Sequence, residues 1–305
     1  MGAIRYRLKY LKECGYKAFN TLFKTGVLTI ADYSAGVWGT KQFPKTEQVQ
    51  YKAARYFLGV HRFAPIEALL GDMGWNTARS RHKLLMLKYW NRLCLLPSNR
   101  ITKIVFNWDC EQFSNKKGCW SYSLKHLLRE VHSPDSFDAH VPCDIDFCET
   151  ILNDCDATEW DVKRYKSEKL RYYNLYKFDR EPADYVFFNV SKFHRSLFAQ
   201  FRAGILPLEI EVGRYRNALL KDRICKLCTL NIVEEEIHFL CDCTKYVTIR
   251  NILYVKIANT NPLFQDMESF DKFVYLMSNH EAIIIRYIAN AVKIRRDCIY
   301  NVLNS

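Results

Sequence analysis

A mostly α-helical chain in three modules is the fold that the 305 residues predict. Three observations carry that prediction. Apolar residues recur at helical spacing over most of the length. Breaks in that spacing fall in two places, between 95 and 120 and across 133–148, where Pro, Gly, Asn, Ser and Asp gather. Finally, the spacing Cys-x2-Cys-x9-His-x4-Cys occurs once, at Cys225, Cys228, His238 and Cys243, and marks a small module of its own. The modules are a basic helical one at 1–110, a helical linker region with an acidic loop at 111–195, and a cysteine–histidine module with closing helices at 196–305.

In the first module, Leu22 to Trp38 mixes small, β-branched and aromatic residues, a pattern that fits either partly extended chain or a tightly packed helix. Gln48 to Leu58 reads as a helix closed by Gly59. The clearest helix is Ser80 to Cys94. Met86, Leu87, Trp90, Leu93 and Cys94 share one side of it, and Arg81, Lys88 and Arg92 lie opposite. Pro97, Ser98 and Asn99, then Asn115 to Gly118, interrupt the pattern. Residues 133–148 read as a loop or linker. The pairs Asp144/Asp146 and Asp154/Asp156 sit in an acidic, loop-like stretch and are expected to face solvent. Helical spacing returns over 158–200, Phe201 to Arg216 leads into the last module, and 263–303 predicts one or two closing helices.

Charge is unevenly placed. Residues 1–100 hold 17 Lys or Arg against 5 Asp or Glu, which accounts for the whole net charge of +12. A positive field this concentrated suits a polyanion, and the Arg81, Lys88 and Arg92 stripe is the expected phosphate contact. The plain alternative is a solvated basic face. The 19 Tyr, 19 Phe and 6 Trp add rings on which unpaired bases stack, although such rings more often pack into cores. No apolar run reaches the ~18 residues a membrane span needs. Met1 to Lys12 is basic without an apolar stretch, so no secretion signal is expected. Twelve cysteines then read as reduced thiols of an intracellular protein, in the nucleus or cytoplasm.

The cysteine–histidine spacing is the strongest chemical signal. Two thiolates three positions apart grip one ion from a tight turn, and an imidazole with a third thiolate completes a tetrahedron around Zn²⁺. Four protein ligands leave no open position, so the expected zinc is structural. The intervening Lys226, Thr229, Asn231 and Glu234 to Glu236 read as a polar loop. Cys241 could take the place of Cys243 as fourth ligand. Cys143, Cys148 and Cys155, with His132 or His140, match no closed ligand set.

Motifs for phosphate-binding loops, dinucleotide folds, zinc proteases and serine hydrolases are absent, as is any adjacent Asp-Asp pair of the kind a two-metal polymerase site uses. The chain is expected to carry no catalysis of its own.

Several blocks resemble the C-terminal region of LINE-type non-LTR retrotransposon reverse transcriptases. They are SLFAQFRAGILPLEIEVGR at 196–214, RICKLC at 223–228 and EEIHFL at 235–240. Earlier blocks agree: Gly26 to Ile30, Gly36 to Gly39, Val49 to Val60, Ala68 to Trp75, and Arg100 to Asp109. So do Lys169 to Arg171, Glu181-Pro182, and Lys272 to Asn279. The resemblance implies a thumb, a helical post-polymerase region and a terminal Cys-Cys-His-Cys knuckle on which Cys225, Cys228, His238 and Cys243 fall. Cys241 stands where that family has an apolar residue. The partners implied are element RNA, template–primer or target DNA. The catalytic palm is missing, so the expectation is a non-catalytic nucleic-acid-binding remnant. The alternatives are a fragment of an intact RNA-directed DNA polymerase whose palm lies upstream of Met1, and a zinc-stapled protein-interaction scaffold.

Overall fold

A computed structural model describes residues 14–41 and 43–303, with side chains as far as residue 299. The basic stretch Met1 to Lys12 lies outside them. The described residues form fifteen α-helices and no strand, as the sequence predicts; their sole β pairing is an isolated antiparallel bridge between Ile224 and Val233. None of these helices is long and apolar enough to cross a membrane. Two compact units are present, and each is assembled from separated stretches of chain. One comprises Ala18–Ala53 and Trp75–Val162, the other 14–17, Ala54–Gly74 and 163–303. The sequence reading instead set three consecutive modules at 1–110, 111–195 and 196–305.

In the first unit the organising element is helix Ala78–Cys94. It starts two residues before the expected Ser80 because Thr77 caps it, accepting from the Ser80 amide at 3.2 Å. Met86, Leu87, Trp90 and Leu93 are buried as their spacing requires, and Cys94 packs half-buried against them. Trp90 stacks on Phe137 at 5.6 Å and meets Phe106 edge-on at 5.3 Å, while its indole N–H donates to the Val141 carbonyl.

Leu22 to Trp38 is helical apart from a turn at 32–34, in short runs joined by a π-turn at Lys24–Leu28. Its small residues serve close approach. A Cβ on Gly36 would stand 2.7 Å from Cβ of Tyr89, and one on Gly39 would stand 2.4 Å from the His82 carbonyl oxygen. Only glycine lets this segment lie against helix Ala78–Cys94.

The stretch 133–148 is not a linker. Pro134–Asp138 is a short helix, and Phe137, Cys143 and Cys148 belong to the core. Asn91 brackets Cys143 with two hydrogen bonds, 2.7 Å to its carbonyl and 2.9 Å from its amide. Polar composition reads as a loop or linker, whereas the stacking surface of Trp90 draws the segment inward. Asp144 then caps helix Ile145–Lys166, accepting from the amides of Asp146 and Phe147. Asp144, Asp146 and Asp154 are exposed as expected. Asp156 is not. It lies on that helix, buried, and accepts from the Thr77 amide at 2.9 Å and the hydroxyls of Thr77 and Ser80 at 3.0 and 2.7 Å.

Helix Pro44–Leu58, whose residues from Ala54 onward belong to the second unit, ends at Gly59, whose φ of 72° confirms the expected glycine stop. The helical spacing expected over 158–200 holds only at its ends. Between Lys166 and helix Lys192–Arg202 the chain makes three 3₁₀ turns. Their aromatic side chains surround a buried cation. Arg202 donates to Asp72 at 2.8 Å and to Glu281, and lies 4.9 Å from the Tyr176 ring centre. The hydroxyls of Tyr173 and Tyr185 donate to Asp72 at 3.0 and 2.8 Å. Two closing helices follow, Ser269–Asn279 and Glu281–Leu303.

Candidate metal centre

The Cys-x2-Cys half is built on the Ile224–Val233 bridge. The amide of Cys225 donates to the Ile232 carbonyl and that of Glu234 to the Arg223 carbonyl, each at 2.9 Å, which forms a minimal hairpin. Asn231 makes its return turn at φ 56°, a left-handed conformation that Asn tolerates. At the tip the Leu227 amide points at Cys225 Sγ, 3.4 Å away. Arg223 ties the hairpin back through donation to the Ile210 and Ala218 carbonyls.

The second half rests on a π-turn, His238–Asp242. The Cys243 amide reaches the His238 carbonyl at 2.8 Å, five residues back. One extra residue in that turn brings imidazole and thiol, five positions apart, to the same side. Arg250, buried, holds the exit of the turn by donating to the Cys243 carbonyl at 2.8 Å.

Together these turns gather Cys225, Cys228, His238 and Cys243 so that their ligand atoms all lie within 4.8 Å of one another. Sγ of Cys225 is 3.9 Å from Sγ of Cys243, and Sγ of Cys228 is 3.5 Å from Nε2 of His238. A tetrahedral site with usual zinc bond lengths has S···S edges of about 3.8 Å and S···N edges of about 3.6 Å. The four donors therefore fit a single ion. His238, Cys225 and Cys243 are buried, and Cys228 is half-exposed. Nδ1 of His238 is buried without a hydrogen-bond partner among the described residues, so packing against them orients the ring.

Electrostatics favours a shared site. The hydrogen bond shared by Cys225 and Cys243 holds the Cys225 thiol below its usual range against burial, with help from His238, and pushes Cys243 up. Cys241 is outside the cluster, and burial pushes its thiol up to about 12. Cys243, not Cys241, is thus the residue gathered with Cys225, Cys228 and His238.

Glu234 and Glu236 are buried, contrary to the polar loop expected of Glu234 to Glu236. Glu234 accepts from Arg295 at 3.0 and 2.8 Å and from the Glu209 amide at 2.8 Å. Glu236 accepts from Arg171 at 2.6 Å. Those cations come from distant helices and turns, and they make burial of the acids tolerable.

The other residues singled out in the sequence have different fates. Arg81 donates to Asp32 at 2.7 and 3.1 Å and to Gln50 at 2.9 Å, so its donors are used within its own unit. Lys88 and Arg92 are exposed. Cys143 and Cys148 are core residues and Cys155 is exposed; among the described residues they form no group of three metal donors with His132 or His140. No family model, curated protein or solved structure matches this chain.

Proposed function

We propose that this protein is a non-catalytic nucleic-acid-binding segment whose C-terminal part is stapled by one structural Zn²⁺. The observation that carries the reading is the closed set of Cys225, Cys228, His238 and Cys243, with donor atoms within 4.8 Å of one another. Three thiolates and an imidazole are the donors zinc favours, and with all four positions taken by protein the ion holds shape and has no site for substrate water. The ion would lock the Arg223–Glu234 hairpin to the His238–Asp242 turn, two short pieces that no regular helix or strand joins. Its binding free energy would then be folding free energy for that module.

The nucleic-acid half of the reading rests on charge. The excess of +12 lies in residues 1–100, and Lys88 and Arg92 stand exposed on helix Ala78–Cys94. The resemblance to the thumb-to-knuckle end of LINE-type reverse transcriptases supports RNA or DNA as partner and supplies no catalytic residue to this chain.

The test is metal analysis of the purified chain, followed by binding to a labelled RNA and a matching DNA duplex over a salt series. One zinc per chain, and affinity that falls steeply with salt, are the expected results; slope reports the number of phosphates neutralised. A folded, zinc-loaded chain that binds neither nucleic acid at low salt refutes the nucleic-acid reading and favours the interaction scaffold.

A further inference from the structure

Helix Ile101–Phe113 turns Phe106 and Cys110 into the core of its unit. Its other face is unusual. Ile101, Val105 and Trp108, one turn apart from each other in succession, are 79%, 54% and 55% exposed. With Tyr89 and Trp120 they line an open groove of about 440 Å³. That is within the range of about 300–1,000 Å³ found for sites that take ring-sized ligands. Isolated exposed apolar residues need no explanation, but a contiguous set with three aromatic rings does.

Charge decides between occupants. Tyr89 and Leu93 line the groove from helix Ala78–Cys94, and the exposed Lys88 and Arg92 each precede one of them. On a helix that offset is about 100°, so the cations form a stripe beside the groove. Arg100, exposed, stands just before Ile101. The Lys103 amine is spent on the carbonyls of Leu93 and Cys94. One carboxylate lines the groove, Asp109, whose Oδ2 already accepts from the Ser121 amide; Glu111, exposed on the same helix, is not in the lining. Flat apolar rings beside a cationic stripe match a ligand with flat apolar faces strung on phosphates.

We propose that this groove binds unpaired nucleobases of a single-stranded RNA or DNA, with Trp108 as the stacking face and Lys88 and Arg92 on the flanking phosphates. The proposal rests on the nucleic-acid reading above and locates it. It also states a preference that charge alone does not, for single strands over duplex, because paired bases offer no free face.

The full chain is titrated with a fluorescently labelled 20-nucleotide oligouridylate and with a duplex of equal length, across a salt series. Trp108→Ala is expected to weaken single-strand binding about tenfold or more, while Trp108→Phe retains most of it. Neither should change the salt slope, since no phosphate contact is removed; Lys88→Glu with Arg92→Glu should lower it. A 4-thiouridine-substituted strand should crosslink to residues in 101–108. If Trp108→Ala binds the single strand like the parent and the crosslinks fall elsewhere, the groove assignment is overturned and the nucleic-acid reading stands. Should the parent chain bind neither strand nor duplex, both fall. Self-association that Trp108→Ala abolishes, with oligonucleotide affinity unchanged, would give the groove to a second copy and overturn the proposal.

Discussion

Cys241 and Cys243 are two residues apart and both buried, 7% and 0% exposed, so exchange of each for serine is a controlled pair. Only Cys243 has its sulfur in the four-donor group, 3.9 Å from Cys225. Structural zinc in small modules is worth about 10–16 kcal/mol of apparent binding free energy near neutral pH. Shared over four ligands, one thiolate contributes roughly 2.5–4 kcal/mol, or about 10²–10³ in metal affinity. A serine hydroxyl restores little of this. Cys243→Ser should therefore lose zinc to a chelator that leaves the parent and Cys241→Ser at one equivalent. Cobalt substitution gives a second readout, since thiolate-to-cobalt absorption should weaken in Cys243→Ser and stay unchanged in Cys241→Ser. Cys225→Ser should behave like Cys243→Ser and raise amide exchange across residues 220–250. Zinc retained by Cys243→Ser but lost by Cys241→Ser would refute the ligand assignment and with it the role given to the π-turn.

Asp72→Asn removes the charge facing the fully enclosed Arg202 guanidinium, and breaking a buried pair in this way costs about 3–5 kcal/mol. The urea midpoint should drop by about 2 M, and a drop under about 0.5 M would mean that Glu281 and the tyrosines suffice. Burial raises the Asp32 carboxyl, but hydrogen bonds from His82 and Arg81 outweigh it and hold the group below its usual 3.8. The stability Asp32 adds is then complete above pH 3.8 and is lost as pH falls below that value. Asp32→Asn should be less stable than the parent near neutrality, with the gap closing in acid; a gap independent of pH refutes the pairing. Lys88→Glu with Arg92→Glu should leave the melt within about 0.5 kcal/mol of the parent, since both are exposed, and lower the magnitude of the salt slope. Arg81→Glu should instead destabilise the fold, because it sets two carboxylates against each other at Asp32.

Much of the architecture was legible in order of residues. Helix Ala78–Cys94 announced its end and its buried face, and its start to within two residues, because apolar side chains every three or four residues have no other way to share a core. The metal donors were legible for a related reason: two thiols separated by two residues reach one point from any tight turn, whatever surrounds them. Spacing favoured Cys243 over Cys241 without deciding the choice. It depends on the π-turn at His238–Asp242, whose extra residue leaves no mark in composition. The outward apolar face of helix Ile101–Phe113 was missed because both faces of that helix carry apolar residues, so spacing cannot say which is covered.

By itself, then, the sequence determined the helical class, the punctuation of the chain by glycine and proline, the uneven charge and the cysteine–histidine pattern of the candidate metal centre. These are short-range properties, settled within a few residues by backbone sterics and side-chain periodicity. Tertiary structure alone decided which charges lie inside. Asp156, Glu234, Glu236 and Asp72 are buried because hydroxyls, amides or cations 25 to 130 positions away meet them there. It likewise decided that Arg81 answers Asp32 while Lys88 and Arg92 face solvent. A carboxylate's cost of burial is set by its partners, and no local pattern names partners that folding has yet to bring near.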